Sequence, residues 1–244
     1  MDGSLTLLLT RPLDASRRFL AECEAARGAP IPALLCPVMD IHPISVTLDG
    51  RPAALLLTSE KGAERAGDLG LGGLPAWCVG ARTTAAARER GLNAIEAGPD
   101  AEGLLKTILA AQPPGPLLHL RGQHARGDLV PRLRAAGIDA SEVVVYRQEA
   151  LGPSPEARRA LDAPSPLVAP LFSPRSAVLL AAWALRAPVH AVAMSEAVAE
   201  AAQGLRPLSL VVATRPDAAA MVEATLGRLD RLAGARLEGG ERPD

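Results

Sequence analysis

Leu55-Leu-Leu-Thr-Ser59 is an unbroken apolar run that closes on two hydroxyl residues and opens into a helical pattern; it returns as Pro170-Leu-Phe-Ser173, again followed by a helical pattern. Trp77-Cys-Val-Gly80, with a helical stretch ending at Gly91-Leu92, returns as Ala191-Val-Ala-Met194 with a stretch ending at Gly204-Leu205. Pro99-Asp100-Ala101 before Leu104-Leu105 returns as Pro216-Asp217-Ala218 before Met221-Val222. The opening has its own echo: Thr10-Arg11-Pro12, helix, Gly28 and a strand at Cys36 match Leu120-Arg121-Gly122, helix, Gly137 and a strand at Val145. The spacings are all about 110 residues, too long for a solenoid unit and right for a duplicated small domain.

Outward from these passages, short apolar runs alternate with helical stretches along the whole chain. The expected strands are Leu5–Thr10, Ala33–Met39, Ala54–Thr58, Ala76–Val79, Asn93–Ala97, Leu117–Leu120, Glu142–Arg147, Val168–Phe172, His190–Ala193 and Leu208–Ala213. Nearly all are continuously apolar rather than alternating, the mark of strands covered on both faces in a parallel sheet. Helical stretches such as Asp14–Ala26, Thr84–Arg90 and Ser195–Gln203 lie between them. Strand–helix–strand alternation gives an α/β class with five strands per copy. Pro37–Ser45 and Arg147–Pro153 begin strand-like and turn Pro- or Gly-rich, so they read as crossings between domains. Spacing alone permits two consecutive domains or an exchange in which the opening βαβ of one copy packs with the last three strands of the other. Gly234 to Asp244 is polar and Gly-rich and is expected to be a flexible tail.

Composition narrows the function. The 244 residues hold one large or two small domains at roughly 100–200 residues each. Hydrophobic residues make up 48% and charged residues 22%, which is ordinary for a globular chain. Aromatics are only 2%, namely Phe19, Trp77, Tyr146, Phe172 and Trp183, so the core must be Leu, Val and Ala, and no base-stacking platform for nucleic acid is available. With 26 basic and 27 acidic residues the net charge is −1, which steers the chain to neither nucleic acid nor a membrane. Cys23, Cys36 and Cys78 are odd in number and widely spaced, as suits a reducing cytoplasm rather than a disulfide framework or zinc site. No signal peptide is expected ahead of Leu5, and the most apolar segment, Ser176–Met194, carries Arg186, Pro188 and His190 and reads as helix, turn and strand.

The residues that can carry chemistry sit after the strands. Thr58-Ser59, Gly80 with Thr83-Thr84, Ser173 and Ser195 each stand between a strand and a helix, where backbone N–H groups of the helix start favour anions. Capping is the plainer role of any one hydroxyl; together, in a doubly wound sheet, such ends face the ligand crevice. Arg11, Arg82, Arg121, Arg126, Arg147 and Arg175 follow strand ends closely, and guanidinium forks there suit a carboxylate-rich ligand. Arg11 and Arg121 hold equivalent places in the two copies. Tyr146 is the only tyrosine. A phenol keeps its proton at neutral pH and can assist a hydroxide leaving group, although a half-buried strand tyrosine is the plainer account. His119 and His190 fall inside expected strands and read as core or edge residues. No metal-ligand spacing, G-x-S-x-G elbow or Walker A motif is present.

In order and spacing the pieces resemble the uroporphyrinogen-III synthase family from about Leu5 to Leu229. They are Thr10-Arg11-Pro12, Leu57-Thr58-Ser59, Val79-Gly80 with Thr83, Leu120-Arg121-Gly122 with Arg126 and Leu129, Val145-Tyr146-Arg147, Phe172-Ser173-Pro174 and Ala193–Ala197. The resemblance implies two flavodoxin-like parallel-sheet domains, segment-swapped and joined by a two-stranded linker. One would be residues 1–37 plus 148–234, the other 38–147, with 235–244 as the tail. The implied substrate is hydroxymethylbilane, a linear tetrapyrrole with eight carboxylates, cyclised with loss of water and inversion of ring D, without metal or organic cofactor. Tyr146 matches the family's tyrosine; Arg11, Thr58, Ser59, Gly80, Thr83, Arg121, Gly122, Arg126, Ser173 and Ser195 are the expected substrate contacts. A cytoplasmic monomer is expected, since the cysteines suit a reducing setting and no long apolar surface stripe stands out, with transient contact to hydroxymethylbilane synthase.

The chain departs from the family's pattern in places. Gly62-Ala63 stands where Asn often precedes Ala, Val192-Ala193 replaces a second Val-Gly, and Ser195-Glu196 replaces a Thr-Thr pair. The reaction asks little covalent work, since the substrate closes unaided to the uninverted isomer; holding it for inverted closure is orientation catalysis, and a tenfold preference takes about 1.4 kcal/mol. The rival from another class is a non-enzymatic two-domain sensor of a small anion. A two-domain glycosyltransferase is a weaker rival, lacking a nucleotide-contacting glycine loop.

Overall fold

The computed structural model describes residues 5–124 and 127–239, with side chains through residue 234. The chain divides into two units, one of residues 1–40 and 150–244 and the other of residues 41–149.

Unit 1 is built on a five-stranded parallel sheet: β1 (Thr6–Leu9), β2 (Ala33–Leu35), β9 (Leu167–Leu171), β10 (Val189–Ala193) and β11 (Ser209–Val212), in the order β11-β10-β9-β1-β2. Unit 2 holds β4 (Ala54–Leu57), β5 (Pro75–Val79), β6 (Asn93–Gly98), β7 (Leu117–Gly122) and β8 (Ala140–Ala150), parallel in the order β8-β7-β4-β5-β6, with β3 (Met39–Pro43) added beyond β8. The ten expected strands are all present and pair in parallel with one another, as continuous apolar runs require.

The order resolves what spacing left open. Unit 1 counts 2-1-3-4-5 if β1, β2, β9, β10 and β11 are taken in turn, the flavodoxin-like order. Unit 2 gives the same order only if β7 and β8 are counted before β4, β5 and β6. Each sheet therefore joins the opening βαβ of one copy to the three closing strands of the other. Segment exchange, not tandem folding, is the architecture.

From the residues alone β3 was expected only as part of a crossing, while the family resemblance implied a two-stranded linker. Val38 O accepts from Leu151 N–H and Val145 O from Ile44 N–H, both at 2.9 Å. The residue numbers fall on one strand as they rise on the other, so β3 and β8 run antiparallel. β8 is an 11-residue strand, longer than expected, because it goes on past Tyr146 to pair with β3.

Alternate residues of each strand feed cores on opposite faces. In unit 1, Leu8, Ala169, Ala191 and Ala193 pack beneath α6 (Pro155–Leu161), α7 (Pro174–Ala181) and α8 (Glu196–Ala202); Leu7, Leu9, Val168 and Val192 pack with Phe19 of α1 (Leu13–Arg27) and Met221 of α9 (Ala218–Gly239). In unit 2, Leu55, Leu57 and Leu120 join Ala63 of α2 (Glu60–Asp68) and Ala87 of α3 (Gly80–Glu89); Leu56 and Leu117 join Leu104 of α4 (Ala101–Ala111) and Leu133 of α5 (Leu129–Ala135). Burying each such leucine contributes about 1.5–3 kcal/mol. Helix α9 continues to Gly239, into the stretch expected as a tail from residue 235, because Ala and Leu keep helical character there.

Candidate functional site

A doubly wound sheet takes its ligand beyond the carboxyl ends of its strands, at the neighbouring pair from which the chain winds outward in both directions. In unit 2 that pair is β4 and β7. Thr58-Ser59 follows β4, and Arg121-Gly122 ends β7. An irregularity between Arg121 and Gly122 sets Gly122 opposite Tyr146 of β8.

Tyr146 Oη lies 3.1 Å from Ser59 Oγ. Ser59 is the N-cap of α2, its Oγ accepting from Gly62 N–H at 3.0 Å. The phenol ring rests on Gly122: a Cβ there would stand 2.5–2.9 Å from Cε2, Cζ and Oη, so only glycine admits the ring. Tyr146 is thereby 9% exposed. The departure at Gly62 has a similar cause, since a Cβ would meet Leu120 O at 2.7 Å where α2 rests on the end of β7. Arg65 fixes the same arrangement from the helix, donating Nε–H to Val145 O at 3.1 Å and an Nη2–H to Ile44 O at 3.0 Å.

On the other face of β4, Thr58 Oγ1 lies 3.1 Å from His119 Nε2. Burial pushes His119 down to about 4, with Glu142 pulling upward and Arg121 reinforcing the drop, so the ring is neutral near pH 7. Arg121 is turned to its own neighbours: Nη2 is 2.7 Å from Glu142 Oε1, and Nη1 donates to Gly122 O at 3.1 Å. One strand outward, Gly80 opens α3 at φ +69, and Thr84 Oγ1 donates back to Gly80 O at 2.8 Å. Thr83 is 6% exposed, packed more than presented. A depression of about 320 Å³ in unit 2, lined by Thr47, Asp49, Arg51, Pro116, Ser141 and Glu142, opens toward the amino ends of the strands, the wrong end for the crevice.

In unit 1 the corresponding pair is β1 and β9. The Arg11 guanidinium stacks 4.3 Å over the Phe172 ring, which meets Phe19 edge-on at 4.9 Å. Ser173 caps α7, accepting from Ser176 N–H at 3.1 Å and lying 2.8 Å from Ser176 Oγ. Ser195 occupies the N-cap of α8 without a side-chain cap bond. Glu196 is exposed. Thr10, 1% exposed, has no partner for Oγ1 among the described residues.

Of the expected contacts, Thr58, Ser59, Arg121, Gly122 and Tyr146 meet at one switch point, and Arg11 and Ser173 at the other. Gly80, Thr83 and Ser195 stand at neighbouring strand ends, and Arg126 lies outside the described residues. The capping role holds for Ser59 and Ser173. His119, Arg65 and Glu142 were not foreseen as parts of the site; only the place of His119 on β7, next to β4, signalled it. Burial raises Cys23 to about 12, Cys78 to about 11 and Cys36 above its usual value, so none is an activated nucleophile. Among the described residues no cluster of three or more His, Cys, Asp or Glu is placed to hold a metal, and no helix is long and apolar enough to cross a membrane.

The chain is similar in structure to uroporphyrinogen-III synthetase from Helicobacter pylori 26695, with a TM-score of 0.61 at 17% identity over 82% of this chain and 93% of that one, which shows a shared fold. It also aligns with a mutant uroporphyrinogen III synthase from Thermus thermophilus at 18% identity, covering 93% of this chain and 99% of that one, with a TM-score of 0.49. No curated protein sequence matches it. Residues 21–223 match the family model HEM4, described as uroporphyrinogen-III synthase HemD, and the chain belongs to that family.

Proposed function

We propose that this uroporphyrinogen-III synthase, a hydro-lyase, works through Tyr146 and a set of donors at the strand ends of both sheets. The observation that carries the reading is the 3.1 Å contact between Tyr146 Oη and Ser59 Oγ at the β4/β7 switch point. Hydroxymethylbilane loses its terminal hydroxyl, and Tyr146 supplies a proton to that leaving group. Ring D then inverts and the macrocycle closes. The substrate's carboxylates are received by Thr58, by the first N–H groups of α3 beside Gly80 and Thr83, by Ser195 and by Arg11; each unit supplies receptors of its own. Arg121 joins them by exchanging Glu142 for a substrate carboxylate, and Arg126 adds a second cation to that stretch.

Most of the catalysis is orientation, because holding the acid arms fixes which end of the chain the reactive carbon meets. The rival reading, an anion sensor, has no use for a phenol held by a serine at this place. The enzyme is proposed to act as a cytoplasmic monomer that takes its labile substrate in transient contact with hydroxymethylbilane synthase. Three free, buried cysteines suit a reducing compartment.

The test is direct: purified protein is given fresh hydroxymethylbilane, the product is oxidised, and porphyrin isomers are separated. Isomer III is expected to dominate. In Tyr146→Phe, kcat is expected to fall by about 10²-fold, in the range of a lost general acid, while isomer III persists. Exclusive isomer I from the native protein overturns the assignment; complete loss in a folded Tyr146→Phe protein overturns the primacy of orientation.

A further inference from the structure

We propose that His119 is a positioning residue: from the core side of β7 it donates Nε2–H to Thr58 Oγ1 and so turns the Thr58 hydroxyl outward as a donor to a substrate carboxylate. The inference rests on the synthase reading for its substrate and on the geometry alone for its hydrogen bond.

His119 is 4% exposed and lies opposite Leu56 of β4 and Glu142 of β8. Strand alternation puts it on the same face as Leu117, whose neighbours are Leu105, Ile108, Leu129 and Leu133. One ring nitrogen, Nε2, reaches Thr58 Oγ1 at 3.1 Å. The other, Nδ1, is buried and has no hydrogen-bond partner among the described residues. Burial keeps the ring neutral, the lift from Glu142 being opposed by Arg121, which is itself paired with Glu142. A neutral ring carries one proton, and the two tautomers differ sharply here. With the proton on Nδ1, a buried N–H is left with no acceptor among the described residues, an arrangement native proteins rarely keep. With the proton on Nε2, it is satisfied by Thr58, and Nδ1 is left as the less costly orphan acceptor.

The second tautomer fixes the direction of the threonine. Thr58 Oγ1 accepts from His119, so its own O–H is free to donate. Thr58 is half-buried at the carboxyl end of β4, where the ligand crevice opens. A hydroxyl that must donate discriminates for carboxylate oxygen and against other donors. A buried histidine is thus part of the binding apparatus without touching substrate.

Two measurements test this. Long-range 1H–15N correlation spectra distinguish the tautomers, with His119 assigned by loss of its signals in His119→Gln. The Nε2–H form is expected at pH 7; the Nδ1–H form or an imidazolium overturns the proposal. That spectrum needs no substrate, so its outcome is independent of whether the synthase reading holds. In kinetics, His119→Leu is expected to raise KM for hydroxymethylbilane about tenfold, the scale of one charge-assisted hydrogen bond, with kcat within twofold. His119→Gln, which retains a side-chain N–H, is expected to recover most of the loss, and His119→Leu is expected to add nothing to Thr58→Val. An unchanged KM in a folded His119→Leu protein overturns the proposal, and if that variant does not fold, the tautomer decides it.

Discussion

In unit 2, β4 and β7 stay in register from Ala54–Leu117 to Leu57–Leu120, whereas in unit 1, β1 and β9 pair only at Thr6–Leu167 and Leu7–Val168. Both are the switch-point pairs of the same topology. The difference traces to Pro170. Leu167 N–H goes to Pro188 O on the β10 side, so the N–H groups of even-numbered residues in β9 face β1. Residue 170 should carry the ladder to Leu8, and proline has no proton to give. Its counterpart in the repeat is Leu56, which does. The other counterparts diverge in step: Pro12 stands for Gly122, and Pro37, one past the Cys36 that matches Val145, stands for Tyr146. The closed pair holds two separate contacts, Ser59 with the Tyr146 phenol and Thr58 with the His119 imidazole, each at 3.1 Å; the parted pair leaves the Thr10 hydroxyl unsatisfied among the described residues and sets a cation on an aromatic face. Of the two switch points, only the one in unit 2 sets a phenol against a helix-capping hydroxyl among the described residues, and the proposed proton transfer is placed there.

The largest effect that sharpens the contrast comes from His119, because a buried imidazole is tolerated only while neutral. Its folded value is depressed to about 4 against an ordinary 6.5. Between those values the unfolded chain binds the extra proton, so stability is full above pH 6.5 and is lost as pH falls toward 4. The loss is on the order of 3 kcal/mol across the window. Urea unfolding of the native protein and of His119→Phe, compared at pH 7 and pH 4, is expected to show that much more acid sensitivity in the native protein. Equal slopes would mean that the closed pair holds no desolvated histidine.

Next in size is Gly122→Ala. The added methyl meets the far end of the tyrosine ring, which can swing away, so the fold is expected to lose little while the phenol leaves Ser59. kcat is expected to fall by about 10²-fold, matching Tyr146→Phe, and the double variant should be no worse than either single one. Additive losses would show that Gly122 acts on substrate directly and not through Tyr146.

Much of this was legible in the sequence, and the reasons are physical. Doubly covered parallel strands announce themselves as unbroken apolar runs, so Leu55–Leu57 and Val168–Leu171 were plain, and the repeat itself carried the duplication. The choice between exchanged and consecutive domains was not legible in spacing, because it depends on which strands pair across many residues of chain; the family resemblance alone pointed to the exchange, and the strand order bears it out. β3 was also obscured: Met39–Pro43 carries Asp40, His42 and Pro43, a poor strand by propensity, and it forms only because β8 offers an edge. For the site, hydroxyls and glycines at strand ends were legible as a class. Partners were not. Arg121 looks like a ligand receptor until Glu142 is seen on the neighbouring strand, and His119 looks like core because it is core. Its role comes from one hydrogen bond to a residue 61 positions earlier in the chain.

The smallest effect separates the two capping serines. Ser59 and Ser173 both accept from the N–H three residues on, at 3.0 and 3.1 Å. Alanine at either place is expected to cost about 1 kcal/mol of stability, the ordinary worth of an N-cap, measured by thermal or urea unfolding. Their second contacts differ. Ser59 touches Tyr146 Oη, while Ser173 touches Ser176 Oγ within its own helix. Ser59→Ala is therefore expected to lower kcat several-fold at saturating substrate, because the phenol loses its anchor. Ser173→Ala is expected to act on KM if at all, since nothing that moves a proton leans on it. Equal falls in kcat from the two variants would erase the distinction between the closed and the parted switch point, and would move the proton-handling role from Tyr146 to the pair of helix ends.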